Sequence, residues 1–163
     1  WGVSAKHFAQ KGFSIDEKEP LVRLEKNIKL RPSGLLSANK LKAMSRRRNA
    51  PGQQGFQTAT FFEDRLVRFK QTVVFKADRY VEIFQTIQDF ERQITGKPFV
   101  MTEAAEQKRD SYYEYRSADH IYTMKLLFDD KGVGGVLQIE SRWAAMETTL
   151  IQYERHLNSV PTP

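Results

Sequence analysis

From Arg65 to Lys76 the chain alternates between apolar and polar residues. Val67, Phe69, Val73 and Phe75 fall on one side of a period of two, with Gln71 the exception. Arg68, Lys70, Thr72 and Lys76 fall on the other. Neighbouring side chains of an extended chain point to opposite faces, so this pattern predicts a half-buried strand over 65–76. Asp78 then offers a carboxylate to the free N–H groups of a helix start. Tyr80, Val81, Ile83, Phe84, Ile87, Phe90 and Ile94 recur at three- and four-residue spacing, which predicts a helix over 78–95. Gly96 and Pro98 close it.

A β-rich run follows. Short strands are expected at 99–102 and 111–117, and a stronger one at 120–128. The Asp129-Asp130-Lys131-Gly132 turn leads back through 133–142, where Val133, Leu137 and Ile139 share a face. Gly134 and Gly135 at the start of that strand permit close approach of another backbone. Met146, Leu150, Tyr153 and Leu157 predict a closing helix over 144–158. The order β-α-β-β-β-β-α predicts an α+β fold: a two-layer antiparallel sheet with two helices on one face.

The N-terminal third reads differently. Pro32-Ser33-Gly34 and Pro51-Gly52-Gln53-Gln54-Gly55 punctuate it as loops punctuate a chain. Between them, residues 35–48 offer only Leu36, Leu41 and Met44 as the apolar side of a short helix. The expectation is a basic N-terminal arm over 1–57, mostly extended with short helices, ahead of a compact α+β domain over 58–160.

Charge sharpens that division. Residues 1–57 hold twelve lysines and arginines against four acidic residues, while residues 58–163 hold fourteen against sixteen. No acidic residue stands between Lys26 and Phe62. Eight cations fall in that window: Lys26, Lys29, Arg31, Lys40, Lys42, Arg46, Arg47 and Arg48. Lysine and arginine that neutralise phosphates release condensed counterions, so such a stretch is expected to bind RNA or another polyanion with affinity that falls in salt. Arginine suits bidentate contact with phosphate, and the triplet Arg46-Arg47-Arg48 is its densest point. On the sheet, Arg68, Lys70, Tyr112 and Arg116 are candidates for contacts to bases and phosphates, because aromatic and basic residues together can stack single strands.

Other chemistry is thin. The chain has no cysteine, which excludes disulfides and thiolate metal sites. Its three histidines, His7, His120 and His156, are far apart. Asp119 and His120 are adjacent, but strand neighbours face opposite ways and make a poor dyad. The glycines at 132, 134 and 135 join two strands, whereas a phosphate loop opens onto a helix. Glu103, Glu106, Asp129 and Asp130 fall in polar connections, where carboxylates stay solvated. No catalytic residue, metal ligand or cofactor is therefore expected. No apolar run approaches the roughly 20 residues that cross a bilayer.

These observations favour a non-enzymatic binding or assembly component, whose arm contacts RNA in a ribonucleoprotein while the body docks protein partners. An intracellular or organellar setting is expected. The same cations suit an anionic membrane surface, so the soluble domain of a membrane-anchored secretion or pilus component, with its anchor upstream of Trp1, is the first alternative. The second alternative starts from element order. A strand, a capped helix, antiparallel strands and a C-terminal helix resemble, in order only, the helix-grip domains of the START-like class. That resemblance implies a small-molecule cavity, and with it a binder or an enzyme, between the sheet and its helices.

Overall fold

The structure, a computed structural model, describes residues 1–29, 39–50, 53–76, 85, 89, 92, 111–116, 118–129 and 134–159. They form an α+β fold on one antiparallel sheet. The described elements are α1 (Ala5–Gln10), β1 (Ser14–Ile15), α2 (Pro20–Lys29), β2 (Leu41–Ala50), β3 (Gln53–Phe62), β4 (Arg65–Lys76), β5 (Ser111–Arg116), β6 (His120–Phe128), β7 (Gly134–Trp143) and α3 (Ala144–Ser159). The strand order is β1-β2-β3-β4-β7-β6-β5, six long strands with the two-residue β1 at one edge. Two three-strand meanders, β2-β3-β4 and β5-β6-β7, join through the antiparallel β4–β7 pair.

The expected strand at 65–76 is β4, and the closing helix at 144–158 is α3. The strands expected near 111–117, 120–128 and 133–142 are β5, β6 and β7. The strand at 99–102 and the Asp130–Val133 part of the hairpin turn lie outside the described residues. So does most of the helix at 78–95, of which Gln85, Asp89 and Arg92 are helical.

The basic arm is where the expectation needs correction. Residues 41–50 are neither a free extension nor part of a helix. They form β2, paired along its whole length with β3. The boundary at 57/58 falls inside β3, between residues whose partners on β2 are Arg46 and Ser45. The reason is burial on both faces. Leu41 and Ala43 face one way into a core with Phe62, Val67, Leu150 and Leu157, while Met44 faces the other way onto Phe13, Ala59 and Phe61. A strand buried on both sides loses the simple alternation that would announce it.

α2 and α3 cover one face, which we call the helix face. There Val22 and Ile28 of α2 meet Leu150 and Leu157 of α3 over Leu41, Ala43, Phe62 and Val67. α2, from the segment read as an arm, thus shares this face with α3, and the packing of the helix expected over 78–95 lies outside the described residues. α1 packs on the opposite face, where Phe8 sits edge-on to Phe13 and Phe61, and the Phe69 ring is tilted against both Phe8 and Phe13. Further along that face Phe75, Met124, Leu126, Leu137 and Ile139 form a second buried cluster.

One bulge redirects β4. The register with β3 shifts between Thr60 and Phe61, leaving Val67 as the extra residue. Val67 therefore joins the core under α3, whereas Phe69, Val73 and Phe75 belong to the opposite face. The expectation that all four share a side is corrected at Val67. At the start of β7, a Cβ on Gly134 would lie 2.4 Å from the Phe75 carbonyl oxygen, and one on Gly135 would lie 2.8 Å from the Phe75 ring. Only glycine allows β4 to pass this closely.

Candidate nucleic-acid interface

The cations of the basic segment separate into two groups. Lys26 Nζ lies 3.1 Å from Glu17, Lys40 Nζ 2.8 Å from Glu63, and Lys42 Nζ 3.7 Å from Asp64. Glu63 and Asp64 form the β3–β4 turn, both with positive φ (49° and 60°). That turn places two carboxylates beside the start of β2. Three of the eight expected polyanion contacts are thus already matched with acids of the same chain. Arg46 has a structural partner set instead. Its Nε donates to Gln57 at 2.7 Å, its Nη1 donates to the Lys11 carbonyl at 2.8 Å, and its guanidinium lies 4.6 Å from the centre of the Phe13 ring. Arg46 therefore ties the segment between α1 and β1 to the sheet. Lys29 ends α2, with its side chain outside the description, and Arg31 lies outside the described residues.

Arg47 and Arg48 are left. Both are exposed, and neither has an ion pair among the described residues. The guanidinium of Arg47 lies 5.5 Å from the centre of the Phe56 ring, a cation–π contact on the sheet surface.

Register decides what stands beside them. Arg47 pairs with Phe56, Phe56 with Thr72, Thr72 with Gln138, Gln138 with Lys125, and Lys125 with Tyr112. Directly paired residues share a face, so this row runs across six strands on the helix face. One row nearer the helices, Thr58 pairs with Lys70, and Lys70 with Glu140. The four sheet candidates, Arg68, Lys70, Tyr112 and Arg116, therefore share one face with Arg47. Their surroundings differ. Arg68 Nη1 pairs with Glu154 at 2.7 Å, and Arg116 Nε with Glu114 at 2.7 Å. Lys70 and Lys125 have no ion pair among the described residues, and the Tyr112 side chain is outside the description. Beyond the reach of α2 and α3, Phe56 and Val74 are 36% and 39% exposed.

Arg68 and Arg142 stand directly opposite each other on β4 and β7. Carboxylates offset that repulsion: Arg142 takes Glu147 at 2.5 Å, Glu114 at 3.1 Å and Glu140 at 3.4 Å. Because Glu147 and Glu154 belong to α3, these pairs also anchor that helix. A second buried polar centre joins α2, β2 and α3. Glu25 accepts from the backbone N–H of Lys40 at 2.7 Å and of Leu41 at 3.0 Å, and from the Tyr153 hydroxyl at 2.5 Å. Burial first, and then the Glu25 carboxylate, push the Tyr153 phenol above its ordinary value. Sequence reading missed Glu25, although a signal existed: it interrupts the apolar stripe of Leu21, Val22, Leu24 and Ile28.

His120 stacks on Tyr122, with rings 5.4 Å apart and 7° from parallel, and lies 5.4 Å from the Trp1 ring. Asp119 is exposed, and its backbone carbonyl accepts from the Ala144 N–H at 3.1 Å. Among the described residues no three histidines or carboxylates group as metal ligands, and no helix is long and apolar enough to cross a membrane. No family model, no curated protein and no solved structure matches the chain.

Proposed function

We propose that this is a non-enzymatic binding component that takes up a polyanion, single-stranded RNA in a ribonucleoprotein, on the open part of its helix face. One observation carries the reading. Arg47, Lys70 and Lys125, which have no ion pair among the described residues, share one sheet face with the exposed Phe56, whereas Arg48, next along β2, faces the other way. Strands are spaced by about 4.8 Å, so Arg47 on β2 and Lys125 on β6 are roughly 19 Å apart. That span accommodates several nucleotides. Exposed aromatic surface adds base stacking, which favours a single strand over a duplex. Phosphate contacts position a strand without reading its sequence, so the binding is broad in specificity. The exposed Val74 beside Phe56 provides apolar surface for a protein partner of the same assembly.

Fluorescence anisotropy with a labelled oligouridine tests this. Three phosphate contacts give a log–log salt slope of about −2. Arg47→Glu with Lys125→Glu is expected to abolish binding, while Lys26→Glu, which alters an already paired cation, leaves it nearly intact. Binding that ignores salt, or that survives the double substitution, defeats the reading. Capture by phosphatidylserine vesicles with none by RNA replaces it with the membrane alternative.

A further inference from the structure

A cavity of about 310 Å³ lies on the helix face where the chain enters α2. Its volume is at the small end of the range of roughly 300–1,000 Å³ for small-molecule sites. Its lining carries both charges. From the turn that leads into α2 come Asp16, Lys18 and Glu19. From the sheet come Arg68 and Lys70 of β4 with Glu140 of β7 opposite Lys70, and the hydroxyl-bearing Thr58 and Thr60 of β3. Each acid uses one oxygen to hold the local backbone. Asp16 Oδ1 accepts from the Lys18 N–H at 3.1 Å, and Glu19 Oε2 accepts from the Val22 N–H at 2.9 Å. The second oxygen of each accepts nothing from the described residues. On the basic side, Lys70 has no ion pair among the described residues, and Arg68 Nε is buried without an acceptor even though Nη1 reaches Glu154. A buried donor without an acceptor is costly, and a ligand oxygen relieves that cost.

A purely anionic ligand would meet Asp16, Glu19 and Glu140 at close range. A purely cationic one would meet Arg68, Lys70 and Lys18. A molecule that carries an ammonium and a carboxylate on one carbon offers a partner to both the acids and the bases. We infer that this cavity binds a small zwitterion of the α-amino acid class. The ligand carboxylate lies toward Arg68, Lys70 and the two threonine hydroxyls, and its ammonium lies toward Asp16 and Glu19. The site shares Lys70 with the polyanion reading, but Arg47, Lys125 and Phe56 take no part in it, and the ligand carries no phosphate.

The test is an NMR titration of the isotopically labelled full chain with each free protein amino acid in turn. At least one is expected to move the amide signals of Thr58, Thr60, Lys70 and Glu19. Its N-acetyl and carboxamide derivatives, each lacking one charge, are expected to bind at least about tenfold more weakly, because a site built for a polar group rejects the analogue without it. Lys70→Met and Glu19→Gln should each weaken binding by about tenfold with an unchanged circular dichroism spectrum; glutamine retains the cap on Val22. The inference is overturned if no amino acid moves these signals up to about 10 mM, a range that would register even millimolar affinity. It is also overturned if the N-acetyl or carboxamide form binds as well as the parent. Because the readout is the cavity's own amides, a failure here leaves the RNA titration untouched, and the reverse holds.

Discussion

Glu25 shows how much one side chain can decide. It is fully buried, yet it accepts from three donors: the backbone N–H groups of Lys40 and Leu41, where β2 begins, and the Tyr153 hydroxyl. Removing it leaves those donors inside the protein with no acceptor. Glu25→Ala is therefore expected to lower the unfolding free energy by about 3 kcal/mol in urea titrations. Tyr153→Phe removes one of the three and should cost about 1 kcal/mol at neutral pH. The pH dependence has a definite sign. The folded state holds the phenolic proton more tightly than the unfolded state, so this stabilisation is complete below the ordinary value of about 10 and falls as pH rises above it. The wild type should lose stability above that point more steeply than Tyr153→Phe, as read from urea midpoints across the alkaline range.

At the scale of elements, two devices fix how strands and helices meet. Arg142 is mostly buried among three carboxylates from β5, β7 and α3. Arg142→Met leaves those acids facing one another without a counterion. We expect a loss of about 3 kcal/mol or more, since breaking a buried pair strands its partners. The β3–β4 turn is the second device. Glu63 and Asp64 occupy left-handed backbone that glycine or asparagine adopts more readily. Their carboxylates compensate by pairing with Lys40 and Lys42. These pairs are exposed, so the double substitution Glu63→Gln with Asp64→Asn should change stability by less than about 1 kcal/mol. It frees two cations, and heparin elution should move to higher salt.

For the whole molecule, the consequence is that the N-terminal third belongs to the body. β2 and half of β3 fall before residue 58, as does α2 with its buried Val22 and Ile28. A fragment beginning at Thr58 would expose Phe61, Phe62, Val67, Leu150 and Leu157. It is expected to lack a cooperative thermal transition by circular dichroism, whereas the full chain has one. Cooperative unfolding of a single domain requires that its core be complete.

Alternation alone located β4, and the closing helix followed from the spacing of Met146, Leu150, Tyr153 and Leu157. From Phe69 to Phe75 the buried apolar residues of β4 keep to one face, and α3 presents one apolar stripe, so their periodicity is visible in the sequence. β2 was not legible, because its two faces meet different cores. α2 was hidden by the charges around it and by Glu25 on its apolar stripe. The candidate site was half legible. Composition identified the cations, but each cation's environment depends on residues distant in the chain: Lys40 on Glu63, Arg46 on Gln57 and Lys11, and Arg68 on Glu154.

By itself, then, the sequence determined the α+β class, the strands with one buried face, and an excess of positive charge in the first third. Tertiary structure alone decided that its densest part, Arg46 to Arg48, lies on a strand, which of its members are neutralised, and that Arg47 stands with Phe56 on one face. Local periodicity and composition are properties of neighbours in sequence. Charge compensation depends on distance in space, and only strand register and helix docking set that distance.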